Sequence, residues 1–209
     1  MTYTVKEIFY TLQGEGRHAG RAAVFCRFSG CNLWSGREQD RATAACNFCD
    51  TDFVGTGEDG GKFTTAAELA QRIADEWRGV GGVPYVVFTG GEPLLQLDAA
   101  LIDAMHAVGF EIAVETNGTL AAPAGIDWIC VSPKSNNALL QITGHELKLV
   151  YPQFDALPEQ FASLQFTHFY LQPMDNVLQN DNTRAAIDYC QNHPQWQLSL
   201  QTHKLTGIR

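Results

Sequence analysis

Long apolar runs are missing from this chain of 209 residues; those present, such as YVVF at 85–88, are no more than strand-sized. A transmembrane helix needs roughly 20 consecutive apolar residues, so a membrane-spanning helix is excluded. The N-terminal MTYTVKEIFYTLQGEG likewise holds no apolar core for a secretory signal. The expectation is a cytoplasmic protein with no membrane partner. Positive charge is also scarce, 14 Lys and Arg against 23 Asp and Glu, for a net charge of −9. Such a surface argues against nucleic acid and anionic lipid as partners, although one arginine in a pocket can still take a small anion. Cysteine numbers only six. A chain this large needs no disulfide framework, and in a reducing compartment crowded thiols read as metal ligands. Internal repeats, linkers and low-complexity tracts are absent too. With 45% apolar and 18% charged residues, the chain is expected to form one globular domain over residues 1–209.

What is present is alternation. Residues 22–30, 85–91, 111–118, 127–133, 146–152, 168–173 and 196–203 are short runs rich in Val, Ile, Phe or Tyr, closed by turn residues, and each reads as a strand. Between them the spacing predicts amphipathic helices over 64–77, opened by a threonine cap, over 97–109, ending at Gly109, and over 181–193, stopped before Pro194. Strand and helix in turn imply parallel strands and an α/β domain. Two crossovers, 117–126 and 134–145, are too short and too poor in helical pattern to carry a helix. The fold expected is therefore a single-domain partial (β/α) barrel with an incomplete helix layer.

Functional groups in such a sheet belong at the carboxyl ends of the strands. The loops there are rich in chemistry: the cysteine stretch, TGGEP, ETNG, SPKS, QPMD and QTHK. Cys31, Cys46 and Cys49 lie within twenty residues of one another. Adding Cys26 gives C-x4-C-x14-C-x2-C, close to a zinc ribbon. Strand parity opposes that reading, because Val24, Cys26 and Phe28 share one face and Phe25 and Arg27 the other. Cys26 falls in an apolar row, where a free thiol packs as a small hydrophobe, and Cys130 and Cys190 read the same way. Three thiolates hold a four-iron, four-sulfur cluster with one iron open, whereas ordinary electron-transfer clusters take four cysteines. Gly90 and Gly91 let backbone come close to a ligand, and the acid Glu92 follows them. Phe48, between two of the cysteines, is placed to flank a nucleobase. If Cys26 packs under helices, Arg27 points into the barrel, to meet an anionic ligand or an inward acid such as Glu115. Gln13 and Glu15 add hydrogen-bonding side chains in the polar, glycine-rich stretch TLQGEG, which by itself also reads as a plain loop.

These motifs, with FYTLQGEG at the start, CDT after the cysteines and LKLVYP further on, resemble the radical S-adenosylmethionine enzymes over nearly the whole chain, and within them the 7-carboxy-7-deazaguanine synthase family. The fourteen residues between Cys31 and Cys46 depart from the superfamily's usual C-x3-C-x2-C, as enlarged loops in this subfamily do. The resemblance implies a [4Fe-4S] cluster on Cys31, Cys46 and Cys49. It implies S-adenosylmethionine held by Phe48, Asp50, Gly91 and Glu92, by Ser132, Pro133, Lys134 and Ser135, and by Gln172, Pro173, Met174, Asp175 and Asn176. The implied substrate, 6-carboxy-5,6,7,8-tetrahydropterin, would meet Leu12, Gln13, Gly14, Glu15, Arg27, Gly90 and His203, with Mg²⁺ on the Thr51 hydroxyl. The implied reaction begins with hydrogen abstraction from C6 of the pterin by a 5′-deoxyadenosyl radical. Ring contraction and loss of ammonia follow, in queuosine and 7-deazapurine biosynthesis. A flavodoxin or ferredoxin would donate the electron, and the base rate of symmetric pairs points to a homodimer. Two rivals stand beside this reading. A glycyl-radical activase would need a wide mouth rather than TLQGEG with Arg27, and a non-catalytic zinc module would leave the polar strand ends unexplained.

Overall fold

The computed structural model describes residues 2–209. Among the described residues, nine strands form one sheet in the order β3-β1-β2-β4-β5-β6-β7-β8-β9. Seven of them run parallel: β2 (Ala22–Phe28), β4 (Tyr85–Gly90), β5 (Glu111–Thr116), β6 (Trp128–Val131), β7 (Thr143–Tyr151), β8 (Gln165–Pro173) and β9 (Trp196–Leu198). The seven parallel strands are those expected from their apolar runs, although β9 ends at Leu198 and residues 202–206 turn into a short helix.

Two antiparallel strands were not expected. β1 (Tyr3–Leu12) pairs with β2, and β3 (Gly61–Phe63) pairs with β1. The reason lies in β1 itself, whose register shifts between Val5 and Glu7. Tyr3 and Val5 face the core before the bulge and Ile8 faces it after, so the period-2 pattern breaks in the middle of the strand.

Helix α1 (Ala66–Glu76) is capped by Thr65, whose side chain accepts from Glu68 N at 3.2 Å. Helix α2 (Ala99–Ala107) is capped by Asp98, which accepts from Leu101 N at 3.0 Å. Helix α3 (Gln179–Asn192) begins two residues before the predicted start, and α4 spans Thr202–Thr206. Neither the β5–β6 nor the β6–β7 connection carries a helix, so the helix layer is incomplete as expected. Leu69 and Ile73 of α1 and Leu101, Ile102 and Met105 of α2 pack against Val24, Cys26, Phe28, Phe88 and Val114 in the main core. A second core joins β6–β8 to α3 through Leu147, Leu149, Leu171 and Ala186. Each large side chain so buried contributes about 1.5–3 kcal/mol. With helices covering the outer face, polar residues of β2, β5 and β7 turn towards the concave side.

Candidate active site

A cavity of about 450 Å³ opens where the parallel strands end. Leu12, Gln13, Gly14, Glu15 and Arg27 line one flank, and Phe48, Cys49, Asp50 and Thr51 line another. Gly90, Gly91, Ser132 and Lys134 lie between, with Gln172, Pro173, Met174, Asp175 and His203 completing the wall. The predicted residues thus converge from seven separate stretches of chain. Cys31, Cys46, Glu92, Pro133, Ser135 and Asn176 do not line this cavity.

Cys26 lies on the face where strand parity placed it. Cys26 is 0% exposed within the main core, on the face of β2 away from the cavity, and cannot join the others around one metal. Cys130 is buried as well, while Cys190 on α3 is only half-buried. Cys31 and Cys46 are drawn together by the loop between them, through Leu33 N to Cys31 Sγ at 3.4 Å and Cys46 N to Leu33 O at 3.4 Å. Burial pushes the Cys31 thiol up and that of Cys46 to about 11, although Lys134 pulls the latter back. Binding iron as thiolates would therefore release protons from both.

Glu92 does something other than face a ligand. It is 0% exposed, and its carboxylate accepts from Leu94 N at 3.0 Å, Thr116 Oγ1 at 2.7 Å and Asn117 N at 2.8 Å. It ties the TGGEP turn to the ETNG turn and so fixes the height of both loops. Burial raises its pKa against those hydrogen bonds. Gly90, with φ of +146°, and Gly91 lie where a Cβ would strike the Phe28 and Gly30 carbonyls. Their first requirement is close approach to the neighbouring strand and its loop. Ser135 and Pro133 are gathered by Gln153, which accepts from Ser135 N at 2.8 Å and donates to Pro133 O at 3.3 Å. Asn176 accepts from Leu178 N and Asn182 Nδ2 at the start of α3.

The cavity's polar floor centres on a residue that sequence reading missed. Lys148 of β7 has a side chain only 4% exposed and pairs with Glu15 at 2.7 Å and Glu115 at 2.9 Å. Gln13 Nε2 donates to the same Glu115 at 3.2 Å. Burial opposes charge at Lys148, but the surrounding carboxylates overcome it and keep the ammonium protonated. Burial likewise works to raise Glu15, yet Lys148 holds that carboxyl at about 2. The signal was available: in HELKLVY, Glu146 and Lys148 alternate with buried Leu147 and Leu149 on a strand covered on its outer face, so the charges must face inward.

Arg27 lines the cavity on the face opposite Cys26, and the acid it meets is Glu7, not Glu115, the inward acid offered as the alternative to an anionic ligand. Arg27 Nε donates to Glu7 Oε1 at 2.7 Å, and Arg209 shares the same carboxylate at 2.9 Å. Glu115 is taken up by Lys148 and Gln13. At the mouth, Lys204 joins Asp50 at 2.6 Å to Asp175 at 2.5 Å. Thr202 N donates to Gly14 O at 2.9 Å, and a Cβ on Gly14 would collide with His203, so glycine is needed for the C-terminal segment to sit this close.

The family model of the radical SAM superfamily matches residues 39–150, taking in Cys46 and Cys49 but starting after Cys31. The 7-carboxy-7-deazaguanine synthase of Caulobacter vibrioides is 66% identical over the full length of both chains, and that of Bacteroides thetaiotaomicron 41% over the full length of both. The chain belongs to the 7-carboxy-7-deazaguanine synthase family. The crystal structure of QueE from Escherichia coli superposes with a TM-score of 0.74 at 30% identity, covering 97% of this chain and 95% of that one.

Membership in this radical SAM family implies a [4Fe-4S] cluster and S-adenosylmethionine. The residues present fit the cluster. Among the described residues, no three His, Cys, Asp or Glu side chains gather closely enough for a single metal ion. A four-iron cube asks for something else, since each thiolate takes its own iron and the three need not meet at one atom. Cys31, Cys46 and Cys49, all free and on one loop beside the cavity, meet that demand. No helix of the described residues is long and apolar enough to cross a membrane.

Proposed function

We propose that this chain converts 6-carboxy-5,6,7,8-tetrahydropterin to 7-carboxy-7-deazaguanine with loss of ammonia, in the route to queuosine and related 7-deazapurines. The observation that carries the proposal is one cavity with the three-cysteine loop on one flank and Gln13, Glu15 and Arg27 on another. When bound, the cluster and S-adenosylmethionine supply a 5′-deoxyadenosyl radical; the chain's own residues bind, orient and shield. Arg27 engages Glu7 through Nε, which leaves its two terminal nitrogens to take the substrate carboxylate. Gln13 and Glu15 are fixed by Glu115 and Lys148, so their donor and acceptor atoms are pre-set for the pyrimidinone edge.

Mg²⁺ at Thr51 belongs to the same proposal. Asp50 and Asp52 are committed to Lys204 and Lys6, so the Thr51 hydroxyl would need water and substrate oxygens to complete an octahedron. Phe48, Lys134, Ser132 and the Gln172–Asp175 wall are the proposed S-adenosylmethionine side of the cavity. A flavodoxin or ferredoxin as electron donor, a homodimer and a cytoplasmic location complete the reading.

Anaerobic reconstitution tests it. The chain should take up about four iron and four sulfide and, with reductant, S-adenosylmethionine and the carboxypterin, yield a product with the mass of 7-carboxy-7-deazaguanine. Loading without product from this pterin would reject the substrate; no loading would reject the radical reading.

A further inference from the structure

Fourteen residues separate Cys31 from Cys46, where three would suffice for the superfamily's usual motif. The structure shows what the added length contains. Residues Glu38–Thr43 form a 3-10 turn, and Arg41 projects from it to the Cys46–Cys49 segment. Its NH1 donates to Asn47 O and to Cys49 O, both at 3.0 Å. Its Nε is held by both Glu38 oxygens, at 2.9 and 2.8 Å. The guanidinium lies over the Trp34 ring, 4.2 Å from the centroid. Trp34 is itself 8% exposed, donates Nε1 to Arg37 O at 3.2 Å and packs edge-on against Phe53. Arg41 is therefore fixed from two sides before it reaches the ligand loop.

The ligand loop needs such a hold. Residues 45–50 lie in no helix or strand, and among the described residues their one backbone–backbone hydrogen bond is Cys46 N to Leu33 O at 3.4 Å. Arg41 supplies two shorter, charge-assisted bonds to the same segment. A three-residue spacer has no room for a turn that folds back in this way. We propose that the enlarged loop carries Arg41 as a positioning residue, which clamps the Cys46–Cys49 segment and places a positive charge beside the iron–sulfur cluster. Hydrogen bonding and net charge around a cluster set its reduction potential, and a nearby cation favours the reduced, more negative state. The inference rests on the cluster reading above.

The test uses the reconstituted holoprotein and reads the cluster, not turnover. Arg41→Ala should lose iron to a chelator about tenfold faster, or more, the scale set by one lost charged hydrogen bond. Its midpoint potential should move to a more negative value, while the melting temperature of the cluster-free chain stays near that of the wild type. Arg41→Lys keeps the charge without the fork, so its potential should stay near wild type while its iron loss is intermediate. Should Arg41→Ala fail to fold, Arg41→Lys carries the test alone. Wild-type iron loss in Arg41→Lys, or wild-type loss and potential in Arg41→Ala, overturns the clamp. A wild-type chain that takes up no iron overturns the proposed function itself, and the clamp with it.

Discussion

Replacing Lys148 with Met removes the one cation between Glu15 and Glu115 and leaves the volume nearly unchanged. The two contacts, 2.7 and 2.9 Å, meet on an ammonium that is 4% exposed. Stranding the partners of a buried pair costs about 3–5 kcal/mol. An independent route gives the same scale: Glu15 is held at about 2 instead of an ordinary 4.5, a depression worth roughly 3 kcal/mol. In the wild type that contribution is present above the unfolded pKa and is lost as pH falls from about 4.5 through about 2. The variant reverses the sign. Without the cation, burial pushes the Glu15 carboxyl up, the folded state binds more protons than the unfolded, and stability rises as pH falls from 7 towards about 5. Urea unfolding of the cluster-free chains should therefore show a deficit of about 3–5 kcal/mol at pH 7 that shrinks markedly by about pH 5. In a domain of this length the pH 7 deficit is a melting-point drop of about 6–20 °C. A deficit under about 1 kcal/mol, or one of equal size at both pH values, would refute the argument that Lys148 is the counterion of this floor.

Three further outcomes are expected. Cys31→Ala, Cys46→Ala and Cys49→Ala should each lose the cluster's absorbance after reconstitution, whereas Cys26→Ala keeps it and costs only modest stability in denaturant; cluster loss confined to Cys26→Ala contradicts the ligand assignment. Arg27→Ala should weaken binding of the carboxypterin about a hundredfold or more in calorimetry. Binding of a pterin lacking the carboxylate should barely change, with little loss of fold stability because Arg209 still holds Glu7. Equal weakening of both pterins would mark Arg27 as a structural ion pair. Glu92→Gln turns an amide towards three donors and should cost about 1–3 kcal/mol in urea. It should also lower S-adenosylmethionine affinity more than pterin affinity, and equal loss of both would point to general misfolding.

By itself the sequence determined what depends on neighbours along the chain. Alternation in AAVFCRF separated Cys26 from Arg27, because successive side chains of a strand take opposite faces. Crossover lengths determined the gaps in the helix layer, and Thr65 announced the start of α1. Only the tertiary structure decided which charge meets which. Glu7 lies on a strand whose bulge hides its register, so nothing local could show that it, rather than Glu115, would face Arg27. Lys148 lies 133 and 33 residues from its two carboxylate partners. Arg209 reaches Glu7 across 202 residues, and Lys204 reaches Asp50 across 154. Such pairs depend on which strands become neighbours, and the ETNG loop drew Glu92 into the protein for the same reason. Local pattern specifies the face on which a side chain stands; the closing of the sheet specifies what stands opposite it.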